Sequence, residues 1–124
     1  MRVVHEPVGD AAERRVLATE VEIADSALSQ ARGLMFRESP PDEFALVLEV
    51  GDGFLPTGPS RQTVHMLFVR APLDVVWLVD NEVVRTARLS PWTGFASARA
   101  DRVVELPAGG AEGVSAGDTV FLGE

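Results

Sequence analysis

The sequence contains no cysteine and no lysine, and it has no long hydrophobic run. The lack of cysteine excludes disulfides, zinc sites built from thiolates and cysteine nucleophiles. The longest apolar stretches, residues 45–48 and 75–79, are far shorter than the ~20 residues that a membrane-spanning helix needs. Residues 1–6 carry early charges and no apolar signal segment. We therefore expect no membrane partner and a cytoplasmic location.

Because lysine is absent, all eleven basic residues are arginine, and with nineteen acidic residues the formal net charge is −8. So acidic a chain is poorly suited to a phosphate backbone, and nucleic acid is not an expected partner. An acidic excess with arginine as the strong base is typical of a salt-adapted surface, since molar salt screens repulsion and arginine keeps its planar ion pairs. The composition predicts a halophilic organism, such as a halophilic archaeon, although a high-GC genome also favours arginine.

The length of 124 residues favours a single domain over residues 1–124, with about two-thirds of the unfolded surface buried on folding. Eleven glycines and eight prolines divide the sequence into short apolar runs, the pattern typical of β-strands. Seven runs predict strands, at residues 15–24, 44–50, 62–69, 73–79, 82–89, 102–106 and 118–122. His5 beside Val3 and Val4 adds a short edge strand, which makes seven or eight.

Turn and cap residues connect these runs. Asp80-Asn81 predicts a hairpin turn, because both residues tolerate positive φ, and the alternation in 15–24 indicates a bulge near Thr19 and Glu20. Residues 51–61 and 90–100 are predicted loops. An N-cap at Asp25 or Ser26 and a C-cap at Gly33 predict one short α-helix over about 26–33. The expected fold class is mainly β: a compact sandwich or barrel of about seven or eight short strands with that helix.

Three motifs in order resemble a known family. They are Ile23-Ala24-Asp25 followed by a helix and Arg32-Gly33-Leu34-Met35-Phe36-Arg37, the strand Pro72–Asp80, and the pair Val104–Gly109 and Gly117–Val120. Over about residues 19–122 the sequence is similar to the DUF192 family. The resemblance implies a compact β-sandwich of jelly-roll type, with the helix packed on one side, and it implies no activity. One departure is that Leu67 and Phe68 occupy positions where many relatives carry a polar Lys-Asn pair.

Two charged residues lie within apolar segments and need a partner. Arg37 follows Leu34, Met35 and Phe36, and Asp74 lies between two apolar strand residues. We expect Arg37 and Asp74 to form an ion pair, for which a guanidinium allows bidentate geometry. Two roles are open for this pair. It is either a structural link between the helix and the sheet, or a polar site at the rim of a pocket, where Arg37 orients a ligand carboxylate or phosphate.

Two further residues are ligand-binding candidates. His65 alternates with apolar neighbours in its strand, and Trp92 belongs to a Pro-Trp-Thr-Gly-Phe segment that either covers the end of the sandwich or contacts a partner. With two histidines and no cysteine, a metal site is not expected. No nucleophile elbow, calcium loop, phosphate loop or dinucleotide fingerprint is present, so we predict no catalytic residue and no cofactor.

The sequence leaves three functional hypotheses open. The favoured one is a non-enzymatic accessory domain that binds an unknown small molecule or protein as a monomer, through Arg37, His65, Asp74 and Trp92. The alternative is an enzyme of hydrolase or lyase type, with Arg37 as anchor, Asp74 as base and His65 as acid. The third is a structural role within a larger complex. The replacement of the polar pair by Leu67 and Phe68 weakens the enzyme hypothesis.

Overall fold

A computed structural model describes residues 1–9, 13–24, 43–49, 60–66 and 69–123. Within these residues the chain forms ten β-strands. In chain order they are β1 (Arg2–Glu6), β2 (Arg15–Ala18), β3 (Glu20–Ala24), β4 (Phe44–Glu49), β5 (Ser60–His65), β6 (Leu73–Val79), β7 (Glu82–Leu89), β8 (Phe95–Ala100), β9 (Arg102–Pro107) and β10 (Thr119–Gly123). The mainly-β, sandwich-like fold class is therefore confirmed.

Eight strands form one large sheet in the order β2-β1-β10-β7-β6-β9-β4-β3. The pairing is antiparallel except between β3 and β4. Thr19 alone joins β2 to β3, which lie at opposite ends of the sheet, so the two ends must approach each other. Contacts between β1 and β3 agree with this. The large sheet therefore curls around its inner face.

The second sheet is small and consists of β5 paired antiparallel with β8. It lies over β6 and β7 of the large sheet, since β8 contacts both strands. The indole Nε1 of Trp77 donates a hydrogen bond to the Gln62 carbonyl at 3.0 Å, which links β6 to β5. The small sheet thus covers one face of the large sheet at β6 and β7.

Two apolar cores follow from this arrangement. Along β6, Val75 and Trp77 point into the core between the two sheets, while Val76 and Leu78 point into the core inside the curl of the large sheet. All four side chains are fully buried. A strand buried on both faces requires an almost continuous apolar run, and the sequence of β6 has one, interrupted only by Asp74.

Several sequence predictions are confirmed. The apolar run at 73–79 is β6, the run at 82–89 is β7, and Asp80 and Asn81 form the turn between them with φ of 50° and 69°. The runs at 44–50, 102–106 and 118–122 correspond to β4, β9 and β10, each within one residue at the described ends.

Other predictions are wrong in detail. Residues 95–100 form strand β8 instead of belonging to a loop over 90–100, and the Ala-rich sequence hid it because alanine has low strand propensity. Ala96 and Ala100 are buried there, where small side chains let the two sheets approach. The segment with His5 is not an edge strand, because β1 lies between β2 and β10.

Two boundaries also differ. The run at 15–24 is split at Thr19 into β2 and β3, because the chain passes there from one end of the sheet to the other instead of forming a simple bulge. The strand expected at 62–69 is β5, which begins at Ser60 and ends at His65. The helix predicted over 26–33 lies outside the described residues, and the described residues contain no helix. Accordingly, no helix in the described part of the chain has the length and hydrophobicity to cross a bilayer.

Candidate functional site

Asp74, the second residue of β6, interrupts the apolar run of that strand. The alternation of a strand places its side chain on the same face as Val76 and Leu78, toward the core inside the curled sheet. Its residue exposure is only 5%. A carboxylate this deeply buried must accept hydrogen bonds to remain ionised, and β7 and the turn after β9 supply the donors.

The Asp74 carboxylate is surrounded by donors. Oδ1 accepts a hydrogen bond from Arg88 Nε at 2.8 Å, and Arg88 Nη2 approaches Oδ2 at 3.4 Å. Oδ2 also accepts the backbone N–H of Gly109 at 2.9 Å and of Ala111 at 3.1 Å. Both oxygens are therefore occupied, and the pair fixes the Arg88 guanidinium where β6 begins and β7 ends.

The partner of Asp74 is set by an irregularity in the β6–β7 hairpin. Counting back from the two-residue turn, an uninterrupted register would place Ala87 opposite Asp74. The register shifts by one residue between Trp77 and Leu78, so Arg88 lies opposite Asp74 instead. Side chains directly opposite in an antiparallel pair share a face, which brings the guanidinium to the carboxylate.

The charges of this pair reinforce each other. Burial by itself raises the pKa of Asp74, but hydrogen bonds from Arg88, Ala111 and Gly109 together with the positive charge of Arg88 outweigh it, so the pKa lies below its usual value. The pKa of Arg88 is raised by its hydrogen bond to Asp74 and by the charges of Asp74 and Glu112. The site therefore holds a permanent anion and a permanent cation at neutral pH.

A cleft of about 290 Å³ opens beside this pair. Its lining residues are Asp74, Thr86, Ala87, Arg88, Ala111 and Glu112. The Arg88 side chain is 59% exposed although its partner carboxylate is 7% exposed. The arrangement presents a positioned guanidinium, an acidic side chain and a hydroxyl around a small apolar surface, which suits the orientation of a small charged molecule.

The other predicted site residues lie elsewhere or outside the described part of the chain. His65 is an exposed residue at the end of β5, opposite Phe95 of β8, and it does not line the cleft. Trp92 is 48% exposed in the turn between β7 and β8, with a φ of 66°. Arg37 lies outside the described residues, as do Leu67 and Phe68. The predicted Arg37–Asp74 pair thus stays a prediction, and Arg88 is the partner that the structure gives to Asp74.

Comparison with known proteins shows which family the chain belongs to. The family model DUF192, described as "Uncharacterized ACR", matches residues 9–122. The chain belongs to the DUF192 family. A UPF0127 protein of Pyrococcus horikoshii is 36% identical over 93 residues, covering 73% of this chain and 74% of the relative. A UPF0127 protein of Pyrococcus furiosus is 36% identical over 98 residues, covering 77% and 78%.

Two solved structures share the fold of this DUF192 chain. A protein of Sinorhizobium meliloti, described as a candidate transcription regulator, superimposes with a TM-score of 0.77 at 20% identity, covering 97% of this chain and 91% of that one. A protein of unknown function from Novosphingobium aromaticivorans gives a TM-score of 0.76 at 26% identity, covering 98% and 84%. The similarity to the first structure concerns the fold alone.

The structure of the DUF192 chain also contains a buried polar network that the sequence did not indicate. His5 is 1% exposed, and its Nε2 donates to Asp118 Oδ2 at 2.9 Å while Arg15 Nε donates to its Nδ1 at 3.2 Å. An arginine can only donate, so Nδ1 is the acceptor in this contact and Nε2 is the donor toward Asp118. The Asp118 carboxylate also accepts the amides of Val8 and Ser115.

This network ties β1 to the turn that precedes β10. Burial raises the pKa of Asp118, but the hydrogen bonds from His5, Ser115 and Val8 and the interaction with His5 outweigh it, so the pKa lies below its usual value. No sequence motif predicts the network, because His5 and Asp118 at its centre are more than one hundred residues apart. Its burial indicates a structural role.

Proposed function

We propose that this DUF192 domain is a non-enzymatic binding module that holds a small polar ligand in the cleft beside Asp74. The observation that supports the proposal most strongly is the asymmetry of the ion pair. Asp74 is buried and fully hydrogen-bonded, whereas 59% of the Arg88 side chain remains exposed at the cleft. Because Asp74 already holds the Arg88 guanidinium in place, Arg88 can bind a ligand carboxylate with little further loss of side-chain entropy.

The charges around the cleft favour a zwitterionic ligand. The cleft is lined by two acidic residues, Asp74 and Glu112, and one arginine, Arg88, so its net charge is negative and repels a purely anionic molecule. A ligand with a carboxylate for Arg88 and an ammonium for Glu112 matches both signs. Thr86 offers a hydroxyl, and Ala111 offers a short apolar contact. The volume of about 290 Å³ suits a molecule of amino-acid size.

The same geometry argues against the hydrolase or lyase alternative at this site. A general base must be able to take up a proton near neutral pH, but Asp74 has both oxygens occupied and a pKa below its usual range. His65, the residue suggested as the acid, does not line the cleft. The described residues of the cleft therefore favour binding over catalysis.

A thermal-shift screen tests the proposal. The wild-type protein is heated with each standard amino acid, with acetate and succinate as lone carboxylates, and with ethanolamine as a lone amine. We expect at least one zwitterion to raise the melting temperature more than the lone carboxylates and the amine. Glu112→Gln removes the exposed acid without touching the Asp74–Arg88 pair and should weaken binding of that zwitterion about tenfold, the loss typical of one charge-assisted hydrogen bond.

Glu22→Gln is the matched control. Glu22 is an exposed acid on β3 and does not line the cleft, so its loss removes the same charge as Glu112→Gln at a different place. A zwitterion that binds Glu112→Gln and wild type with equal affinity would contradict the assignment of the ligand to this cleft.

We also propose that the protein works as a monomer in the cytoplasm of a salt-adapted organism. The support is compositional: nineteen acidic residues and arginine as the strong base.

A further inference from the structure

Strand β7 is paired along only part of one of its two edges. Toward β6 it is paired over its full length. On its other edge it pairs with β10 at Glu82, opposite Thr119, and Val83 makes two further hydrogen bonds with the segment just before β10. Among the described residues, none pairs with this edge beyond Val83. The rest of this edge of β7 is therefore open, and it lies beside the Asp74 cleft.

The direction of the backbone groups on β6 shows which groups of β7 lie on the open edge. The Leu78 carbonyl of β6 accepts the Asp101 N–H at 2.9 Å on the side of β9, so the backbone groups of Leu78 face β9. In a strand of an antiparallel sheet, alternate residues face the same neighbouring strand. Val76 and Asp74 therefore face β9 as well, and neither exchanges backbone hydrogen bonds with β7.

The open edge carries the backbone groups of Thr86 and Arg88, which lie opposite Val76 and Asp74. Opposite residues of an antiparallel pair either exchange hydrogen bonds or both face away, so the N–H and C=O groups of Thr86 and Arg88 point away from β6. Both residues are exposed, and both line the cleft. One wall of the cleft is thus a strand edge whose backbone donors and acceptors have no backbone partner in the described part of the chain.

The turn between β9 and β10 forms another wall of the cleft. Ala111 and Glu112 of this turn line the cleft, and the charge of Glu112 raises the pKa of Arg88. A molecule in the cleft therefore meets both a strand edge that offers backbone hydrogen bonds and an acid that attracts a cation. The Gly117 N–H donates to the Val83 carbonyl at 2.8 Å, which closes the open edge at one end, so a chain bound along it has to be short or to end there.

We infer that the zwitterion held in the Asp74 cleft is a short peptide, which pairs with the open edge of β7 as an added strand. The inference rests on the proposed function and names the class of its ligand. The amide N–H of the C-terminal residue donates to the Thr86 carbonyl, and the carboxylate accepts the Thr86 N–H and the Arg88 guanidinium. The N-terminal ammonium pairs with Glu112.

The number of nitrogen atoms favours a peptide over a free amino acid. The cleft offers two acceptors for ligand N–H groups, the Thr86 carbonyl and the Glu112 carboxylate, and they belong to different elements. A free amino acid with an apolar side chain has a single nitrogen, which has to serve both. A dipeptide has an amide N–H for the strand edge and an ammonium for the acid. A peptide therefore leaves fewer polar groups of the cleft without a partner.

NMR titrations of ¹⁵N-labelled wild-type protein test the inference with three compounds. They are glycylglycine, glycine and 5-aminopentanoate, which has the termini and the chain length of glycylglycine but no amide. We expect the dissociation constant of glycylglycine to be lower than that of either other compound by about fivefold or more, the difference expected from one added hydrogen bond. This comparison needs no variant.

Two substitutions at Thr86 test which group of the protein pairs with the peptide. Thr86→Pro removes an N–H that faces away from β6, so the pairing with β6 stays intact, and proline is accepted on strand edges of this kind. Thr86→Val removes the hydroxyl and keeps the N–H, so it is the matched control. We expect the dissociation constant of glycylglycine to be higher for Thr86→Pro than for Thr86→Val by about fivefold or more. Cooperative thermal unfolding of both variants shows that they fold.

Two results overturn the inference. One is wild-type protein that binds glycine or 5-aminopentanoate as tightly as glycylglycine. The other is an equal affinity of folded Thr86→Pro and Thr86→Val for glycylglycine. If Glu112→Gln weakens glycine binding in the first case, the proposed function stands and only the peptide inference fails. If glycylglycine and every compound of the thermal-shift screen fail to bind, both fail.

Discussion

At the scale of single residues, the site depends on how a buried carboxylate is satisfied. Asp74 lies in an otherwise apolar strand, and burial alone would favour its neutral form. Three groups that are distant in sequence, Arg88, Gly109 and Ala111, converge on it and keep it ionised. The arginine is in turn held at the cleft, so one set of hydrogen bonds serves both stability and the presentation of a binding group.

We expect Asp74→Asn to lower the free energy of unfolding by about 1–3 kcal/mol, because an amide cannot accept hydrogen bonds at both positions that the carboxylate oxygens occupy. Urea denaturation at pH 7 measures the loss. Asp80→Asn is the control: Asp80 is exposed in a turn where asparagine is equally tolerated, so its effect should stay within about 0.5 kcal/mol. Equal urea midpoints for Asp74→Asn and wild type would contradict this account of the pair.

The lowered pKa values of Asp74 and Asp118 also predict a pH dependence. A carboxyl group whose pKa is lower in the folded than in the unfolded protein adds stability above the unfolded pKa of ~3.9. That stability is lost as the pH falls through the folded pKa. The urea midpoint of wild type should therefore decrease between pH 5 and pH 2.5, and Asp74→Asn should decrease less. Parallel curves for the two proteins would show that Asp74 is not responsible.

The residues that the sequence alone could identify were those whose chemistry is local. Asp74 stands out because a charge inside an apolar run needs a partner. Its partner Arg88 could not be predicted, because the choice between Ala87 and Arg88 depends on one extra residue in β7, and no residue type announces that shift. Gly109 and Ala111 contribute backbone amides, which no side-chain pattern reveals.

At the scale of elements, the β6–β7 hairpin organises the cleft. Its turn was predictable, because asparagine and aspartate are the residues other than glycine that most readily adopt positive φ. Strand β8 was not predictable, since its alanines pack well only against a neighbouring sheet that the sequence does not display. Local propensity therefore determined the hairpin, and tertiary packing determined the small sheet.

The turn supports a matched pair of substitutions at Asn81, which has a φ of 69°. Asn81→Ala and Asn81→Gly both lose the hydrogen bond from Arg102, so their difference isolates the backbone. We expect Asn81→Ala to be less stable than Asn81→Gly by about 1 kcal/mol, since a Cβ disfavours the left-handed conformation. Thermal or urea denaturation gives the difference. If the alanine variant proves as stable as the glycine variant, the turn does not hold this conformation in solution.

At the scale of the whole molecule, the apolar pattern of the sequence predicts the fold class, and its net charge affects the stability of the folded protein. The alternation and shortness of the apolar runs were sufficient to predict a mainly-β sandwich-like fold. The order of strands was not predictable, because the curl of the large sheet depends on Thr19 connecting strands at its opposite ends. The net charge of −8 acts on the folded molecule as a whole, through repulsion that compactness increases.

This repulsion predicts salt-dependent stability. At molar ionic strength the Debye length falls to ~3 Å, so the melting temperature should be higher in 2 M than in 0.1 M KCl by about 3–8 °C. Replacing the exposed acids Glu13, Glu20 and Glu22 by glutamine should reduce that difference. Equal melting temperatures at the two salt concentrations would contradict the proposal of a salt-adapted surface.

The central claim is that the Asp74 cleft binds a small zwitterion, and amide chemical shifts test it most directly. The backbone N–H groups of Gly109 and Ala111 donate to Asp74 at the wall of the cleft, whereas the Gly117 amide donates to the Val83 carbonyl outside it. Titrating the amino acid that gives the largest thermal shift into ¹⁵N-labelled protein should move the Gly109 and Ala111 resonances saturably and leave Gly117 in place. Saturable shifts confined to other residues, with Gly109 and Ala111 unmoved, would contradict it.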